Sequence, residues 1–247
     1  MPTVLVPYHL DEHLPDLRVS LPDGTEPIVV APELGEGDVW SRLADVAVPT
    51  AEAVAAVAHE RPVIVSGDCS TSLAVMTGLQ RAGLDPAIVW FDAHGDVQTV
   101  ETSHSGYPGG MPLRIILGYR PDLIADRLGL RPITEERALL VGARDLDPPE
   151  AEYLATAAVG RSEVADTASK LPPGPLVLHI DLDVIDSAEV PSLRYPVGCG
   201  PAAADVIAAA RAVLATGQVV AVDIACTWFN GTDEAHARLL TELLAET

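Results

Sequence analysis

The stretch Ala87-Ile88-Val89-Trp90-Phe91-Asp92-Ala93-His94-Gly95-Asp96 sets five apolar residues in a row before a run carrying two carboxylates and an imidazole at alternate positions. A short apolar run bounded by polar residues reads as a strand buried on both faces. Such strands build parallel sheets, and the ligands of those sheets collect beyond the carboxyl ends. The same arrangement recurs at Leu176–Ile180, followed by Asp181, Asp183 and Asp186. It recurs with smaller polar sets at Pro62–Ser66, followed by Asp68 and Cys69, and at Val219–Ile224, which contains Asp223 and precedes Cys226. Four polar clusters are thus expected at one edge of one sheet.

Working outward, Thr3–Val6, Ile28–Ala31 and Leu139–Gly142 are further strand candidates. Helix candidates are Val39–Val46, Ala51–Glu60, Ser70–Ala82, Pro112–Leu117, Pro149–Ala155, Ala202–Ala215 and Glu234–Ala245, with Thr50, Ser70 and Asp233 as starting caps. Strands alternating with helices predict an α/β fold with a mainly parallel sheet covered on both faces. A single domain over residues 1–247 is expected. The longest segment without periodicity, Thr99–Gly110, is expected to form a loop over the site.

Hydrophobic residues make up 48% of the 247 residues, enough for a sizeable core, but aromatics only 4%. That core must therefore be built from Ala, Val, Leu and Ile. No apolar stretch reaches the roughly 18–20 residues of a membrane helix. Met1 to Leu14 lacks the basic start and apolar run of a signal peptide, so a cytoplasmic protein is expected. A net charge of −21 argues against nucleic acid as a partner; it reads either as solubility by self-repulsion or as a field that favours cations, a metal or a cationic substrate. Cys69, Cys199 and Cys226 are odd in number and widely spaced, which is no disulfide framework. His9, Asp11, Glu12 and His13 read as a solvated loop, with metal binding as the alternative. No phosphate loop or serine-hydrolase elbow is present.

Residues two apart in extended chain point the same way. Asp92, His94 and Asp96 are then able to converge on one point, as are Asp181 and Asp183. Carboxylates sharing a site hold one another protonated, a conflict that a divalent cation removes. Mixed carboxylate and imidazole ligation suits Mn²⁺, with Zn²⁺ or Fe²⁺ as alternatives.

These residues resemble the arginase and agmatinase (ureohydrolase) family. Ser66-Gly67-Asp68-Cys69-Ser70 is similar to the family's Gly-Gly-Asp-His-Ser segment. Asp92-Ala93-His94-Gly95-Asp96 matches its Asp-Ala-His-x-Asp motif, and Asp181-Leu182-Asp183-Val184-Ile185-Asp186 resembles Asp-x-Asp-x-x-Asp-Pro, with Ser187 in place of proline. The resemblance implies a three-layer α/β/α arginase-like fold with two Mn²⁺ ions. It places Asp92 and Asp181 as ligands to both metals, Cys69 and Asp96 at the first, and His94 and Asp183 at the second. The chemistry implied is attack of metal-activated hydroxide on a guanidinium carbon, with Asp183 also accepting a proton. A homo-oligomer and a small guanidine-like substrate are implied in the same way.

The sequence departs from that family where specificity is set. Cys69 replaces a histidine ligand, and thiolate prefers softer cations, so a firm site at His94 and a labile one at Cys69 are expected. Cys226 stands near the family's guanidinium-binding glutamate. Ser105 is kept as a substrate contact, but Tyr107 and Gly109 replace an asparagine and a proton-shuttle histidine; His104 is the candidate substitute for the shuttle. These changes point to a modified guanidine, such as an N-hydroxyguanidine, rather than plain L-arginine. Two other readings compete: a single-metal, deacetylase-like amide hydrolase, and a non-catalytic member that binds a metabolite or partner.

Overall fold

A computed structural model of the chain describes residues 1–15, 17, 26–225 and 241–242. Cys226 lies outside the described residues, as does all but 241–242 of the expected helix Glu234–Ala245, with its cap Asp233. The strands of the main sheet are β1 (Thr3–Val6), β2 (Ile28–Val29), β3 (Val63–Ser66), β4 (Ala87–Phe91), β5 (Ala138–Val141), β6 (Gly160–Ser162), β7 (Leu176–Asp181) and β8 (Val219–Ala225). They lie in the order β2-β1-β3-β8-β7-β4-β5-β6, and every pairing is parallel. The edge strand β6 was not anticipated, because Gly160-Arg161-Ser162 carries no apolar run; its pairing with β5 defines it. A short antiparallel hairpin pairs Tyr8–His9 with Glu12–His13.

Helices α1 (Val39–Val57), α2 (Thr71–Arg81), α3 (Pro112–Ile116), α4 (Ala125–Leu128), α5 (Pro148–Thr156) and α6 (Ala203–Leu214) complete the described elements, with several 3₁₀ turns. Alternate residues of each strand enter opposite faces of the sheet. Ile64, Ile88, Trp90, Leu140 and Val177 pack under Leu43 and Val54 of α1 and Leu73 and Met76 of α2. Val65, Val89, Phe91, Leu178 and Ile224 pack against Val206, Ala210 and Val213 of α6. The result is the expected three-layer α/β/α arrangement. No helix among the described residues is long and apolar enough to cross a membrane.

One expectation is corrected in α1. The sequence pattern predicts two helices here, Val39–Val46 and Ala51–Glu60, with Thr50 capping the second. The helix runs through Pro49, and its N-cap is Asp38, whose carboxylate accepts the Ser41 N–H. Proline removes one backbone donor, but the buried stripe Leu43, Ala44, Val46, Ala47, Thr50, Ala51 and Val54 keeps the segment on the sheet. Thr50 turns its hydroxyl back to the Val46 carbonyl at 2.8 Å instead of capping. Burial of that stripe outweighs the local breaker.

Candidate metal centre

Strands β3, β8, β7 and β4 are neighbours at the middle of the sheet. Their carboxyl ends therefore deliver Asp68 and Cys69, then Asp181 and Asp183, then Asp92, His94 and Asp96, to one rim; Asp223, expected at the same edge, instead lies inside β8, level with His179 of β7. A cavity of about 380 Å³ opens there, walled in part by Asp68, Cys69, Asp92, His94, Asp96, Asp181 and Asp183. The Gln98 N–H donates to the Gly110 carbonyl at 2.9 Å and closes the base of the loop above it. Ser103, His104, Ser105 and Tyr107 of that loop line the cavity, as expected.

The convergence arises differently from the extended-chain argument. Asp181 ends β7 and caps a 3₁₀ turn, Leu182–Val184, where its Oδ1 accepts the Asp183 N–H at 3.0 Å. Asp183 Oδ1 in turn accepts the Ala93 N–H at 3.0 Å, which ties the two acidic loops together. Asp92 Oδ1 takes the His94 N–H at 2.6 Å, and its Oδ2 takes Trp90 Nε1–H at 3.0 Å. Asp96 adopts φ of 51°, a left-handed conformation that aspartate tolerates better than most residues. Turns, not strand alternation, aim these side chains.

Asp92, Asp96, Asp181 and Asp183 are all buried, as is Cys69. Burial drives Asp96 and Asp181 upward, and neighbouring carboxylates add to the effect. Burial also raises Asp183, with the Asp92 charge, to about 6. Asp92 moves the other way: burial opposes its anion, but hydrogen bonds and charge from His94 hold it at about 2. Burial disfavours the His94 cation, yet hydrogen bonds to Asp183 and Asp92 carry it up to about 12. His94 Nδ1 lies 3.0 Å from Asp183 Oδ2 and 3.3 Å from Asp92 Oδ1, with Asp145 3.9 Å from its Nε2. The Cys69 thiol, pushed up by burial and by Asp181, Asp96 and Asp92, donates to Asp181 Oδ2 at 2.9 Å.

Within this acidic cluster Asp96 Oδ2 is buried without a partner among the described residues. The donor chemistry fits divalent cations. Asp92, His94 and Asp183 offer ligand atoms all within 4.8 Å of one another, and so do Cys69, Asp92 and His179. Asp92 belongs to both sets.

Residues 36–246 match the family profile described as Arginase family. The chain belongs to the arginase family. Among relatives of this arginase-family chain, an N(omega)-hydroxy-L-arginine amidinohydrolase from Streptomyces lavendulae is 33% identical over 168 residues, covering 66% of the chain and 59% of that protein. An arginase from Schizosaccharomyces pombe is 31% identical over 176 residues, covering 65% and 54% respectively. The chain thus spans little more than half the length of these relatives. In fold it is similar to the arginase of Bacillus cereus, with a TM-score of 0.82 at 20% identity over 99% of this chain and 96% of that one.

Around the metal centre, this family member carries features the sequence reading missed. His9 is buried, not solvated: its ring lies 3.0 Å from the Gly67 carbonyl, and Tyr107 reaches both His9 Nε2 at 3.2 Å and Asp68 Oδ2 at 3.1 Å. Tyr107 therefore seals one wall of the cavity. A Cβ on Gly109 would sit 2.3 Å from the Tyr107 ring, so the glycine and the tyrosine belong together. His104 and Ser105 are exposed on the cavity rim, where Ser105 Oγ accepts the Tyr107 N–H at 3.2 Å. Arg144 donates to the carbonyls of Asp183 at 3.2 Å, Val184 at 3.0 Å and Val197 at 2.8 Å, and so clamps the Leu182–Val184 turn. No local motif marks Arg144; its partners lie about 40 to 53 residues away in sequence.

Proposed function

We propose that this protein is a metal-dependent amidinohydrolase that cleaves a guanidine C–N bond and prefers a modified guanidine, an N-hydroxyguanidine, to L-arginine. The observation that carries the reading is the pair of ligand sets sharing Asp92 on the wall of a cavity large enough for a small substrate. The amidinohydrolase relative from Streptomyces lavendulae supports the substrate class. So do the substitutions at Tyr107 and Gly109, which put a sealed tyrosine wall where a charged or amide clamp is expected.

Asp92, His94, Asp183 and Asp181 are the residues to hold one cation; Cys69, Asp92, Asp96 and Asp181 border the other. When bound, divalent cations supply a water of lowered pKa and positive charge that offsets the charge developing on the substrate. The chain's own groups do the rest. Asp183 accepts the proton released on attack, since it lines the cavity and is already paired with His94. His104, on the rim, returns a proton to the departing amine. Asp68, Asp147 and Glu150 add to an acidic wall that draws in a cationic guanidine. By the family resemblance, Ser105 contacts the substrate's distal end, and Cys226 stands at the guanidinium end. A single domain, assembled as a homo-oligomer, completes the reading.

The test is direct. Protein reconstituted with Mn²⁺, and separately with Zn²⁺, is assayed for urea from L-arginine and hydroxyurea from N-hydroxy-L-arginine. A higher kcat/KM for the hydroxylated substrate is expected. No product from any guanidine in a broad panel, with metal content verified, sinks the reading.

A further inference from the structure

His179 lies in the middle of β7, two residues before Asp181, and is wholly buried behind Cys69 and Asp92. Register sets its neighbours: Trp90 of β4 on one side and Asp223 of β8 on the other. The Trp90 ring stacks on the imidazole with centroids 3.8 Å apart. Nδ1 lies 2.8 Å from Asp223 Oδ2 and 3.0 Å from Ser72 Oγ, and Ser72 itself donates to Asp223 Oδ2 at 2.5 Å. Nδ1 is thus occupied. Nε2 is buried with no partner among the described residues.

A buried polar atom left unpaired is costly, so an orphaned ring nitrogen in a core calls for an occupant. A histidine that serves only as core packing has no reason to anchor Nδ1 on a carboxylate and leave Nε2 bare. A metal-ligating histidine has that pattern: the second nitrogen donates to a carboxylate, which fixes the tautomer and turns the free lone pair toward the ion. The ligand atoms of His179, Cys69 and Asp92 lie within 4.8 Å of one another. Cys69 occupies the position where an imidazole ligand is expected. The imidazole has not vanished from this half of the centre; a different one stands beside it, reached from the strand instead of the loop.

We propose that Cys69, Asp92 and His179 together hold the first cation, and that this half of the centre selects Zn²⁺ or another thiophilic divalent ion. The proposal rests on the metal-dependent reading of the site but concerns which residues bind and which ion they prefer. A thiolate, an imidazole and a carboxylate are the donor types that zinc favours, whereas Asp92, His94 and Asp183 form a harder set suited to Mn²⁺. Sharing Asp92 makes the centre a candidate for two unlike metals.

The experiment uses the full chain, stripped of metal and loaded anaerobically with one equivalent of Zn²⁺, and reads X-ray absorption at the zinc edge. One sulfur at about 2.3 Å and nitrogen or oxygen ligands at about 2.0–2.1 Å are expected. In His94→Gln the sulfur shell and imidazole scattering both persist, because His179 supplies the ring. In Cys69→Ser the sulfur shell is lost. His179→Gln lowers Zn²⁺ affinity by tenfold or more in competition dialysis against a chelator. Absence of a sulfur shell in the wild type, or loss of imidazole scattering in His94→Gln, overturns the proposal without any variant at the buried strand. Wild-type affinity in a folded His179→Gln also overturns it. None of these readouts depends on turnover, so failure here is distinguishable from failure to hydrolyse a guanidine.

Discussion

The Cys69 thiol donates a hydrogen bond to Asp181 Oδ2 across 2.9 Å. Two groups with their own protons thus occupy the position where a cation would sit between two anions. Their burial and the surrounding carboxylates favour the neutral forms. Without metal, the centre balances its charge with protons.

That balance predicts a pH dependence for metal-free protein. Asp183 is raised to about 6, so its contribution to stability is full below its ordinary value and is lost as pH rises through 6. Asp96 and Asp181 shift in the same direction. His94, raised to about 12, begins to lose its contribution above about 6.5, the ordinary histidine value. Asp92, held at about 2, contributes a constant amount across this window. Chelator-treated protein is therefore expected to melt at a higher temperature at pH 5 than at pH 8. Added metal should reverse the order, since its ligands must shed their protons to bind. Calorimetry at the two pH values, with and without metal, checks it; an unchanged midpoint counts against the cluster.

Asp92→Asn removes the one carboxylate common to both ligand sets. Bound metal should fall below one equivalent and activity should drop by about a hundredfold or more, as expected from losing several kcal/mol of charge stabilisation. Elemental analysis of the dialysed variant beside its kcat/KM separates metal loss from inert substitution. Two retained equivalents would contradict the shared position.

Arg144→Ala strips hydrogen bonds from three carbonyls of the acidic turn and the chain beside it. A loss of about 2 kcal/mol in stability is expected, because buried acceptors are left unpaired. The distant guanidinium orients Asp183 through its backbone, so metal affinity should weaken by about 10–100-fold as well. Denaturant melts and dialysis titration read the two effects. Wild-type metal affinity in a folded variant would remove the positioning role.

Gly109→Ala places a methyl group against the Tyr107 ring at 2.3–2.4 Å. The ring must leave its contacts with Asp68 and His9. A raised KM with retained metal content is expected, and Tyr107→Phe should cost about 1–2 kcal/mol of stability through the lost hydroxyl partners. Steady-state kinetics on both variants tests whether this wall shapes the substrate end of the cavity.

The sequence by itself determined the layered α/β architecture and the acidic rim. Runs such as Ala87–Phe91 leave a strand no solvent face, and carboxylates immediately after them can only gather at the sheet's carboxyl edge. Four of the family's motif positions, Asp92, His94, Asp181 and Asp183, were legible for that reason. Tertiary structure alone decided three things. It carried α1 through Pro49, because a long buried stripe outweighs a local breaker. It brought Arg144 to the Asp183 turn and His9 to Tyr107, contacts that no local pattern encodes. It also set His179 between Trp90 and Asp223, with Nε2 unpaired among the described residues, since neighbours across a parallel sheet depend on strand order and register, which pairwise hydrogen bonding between distant segments fixes.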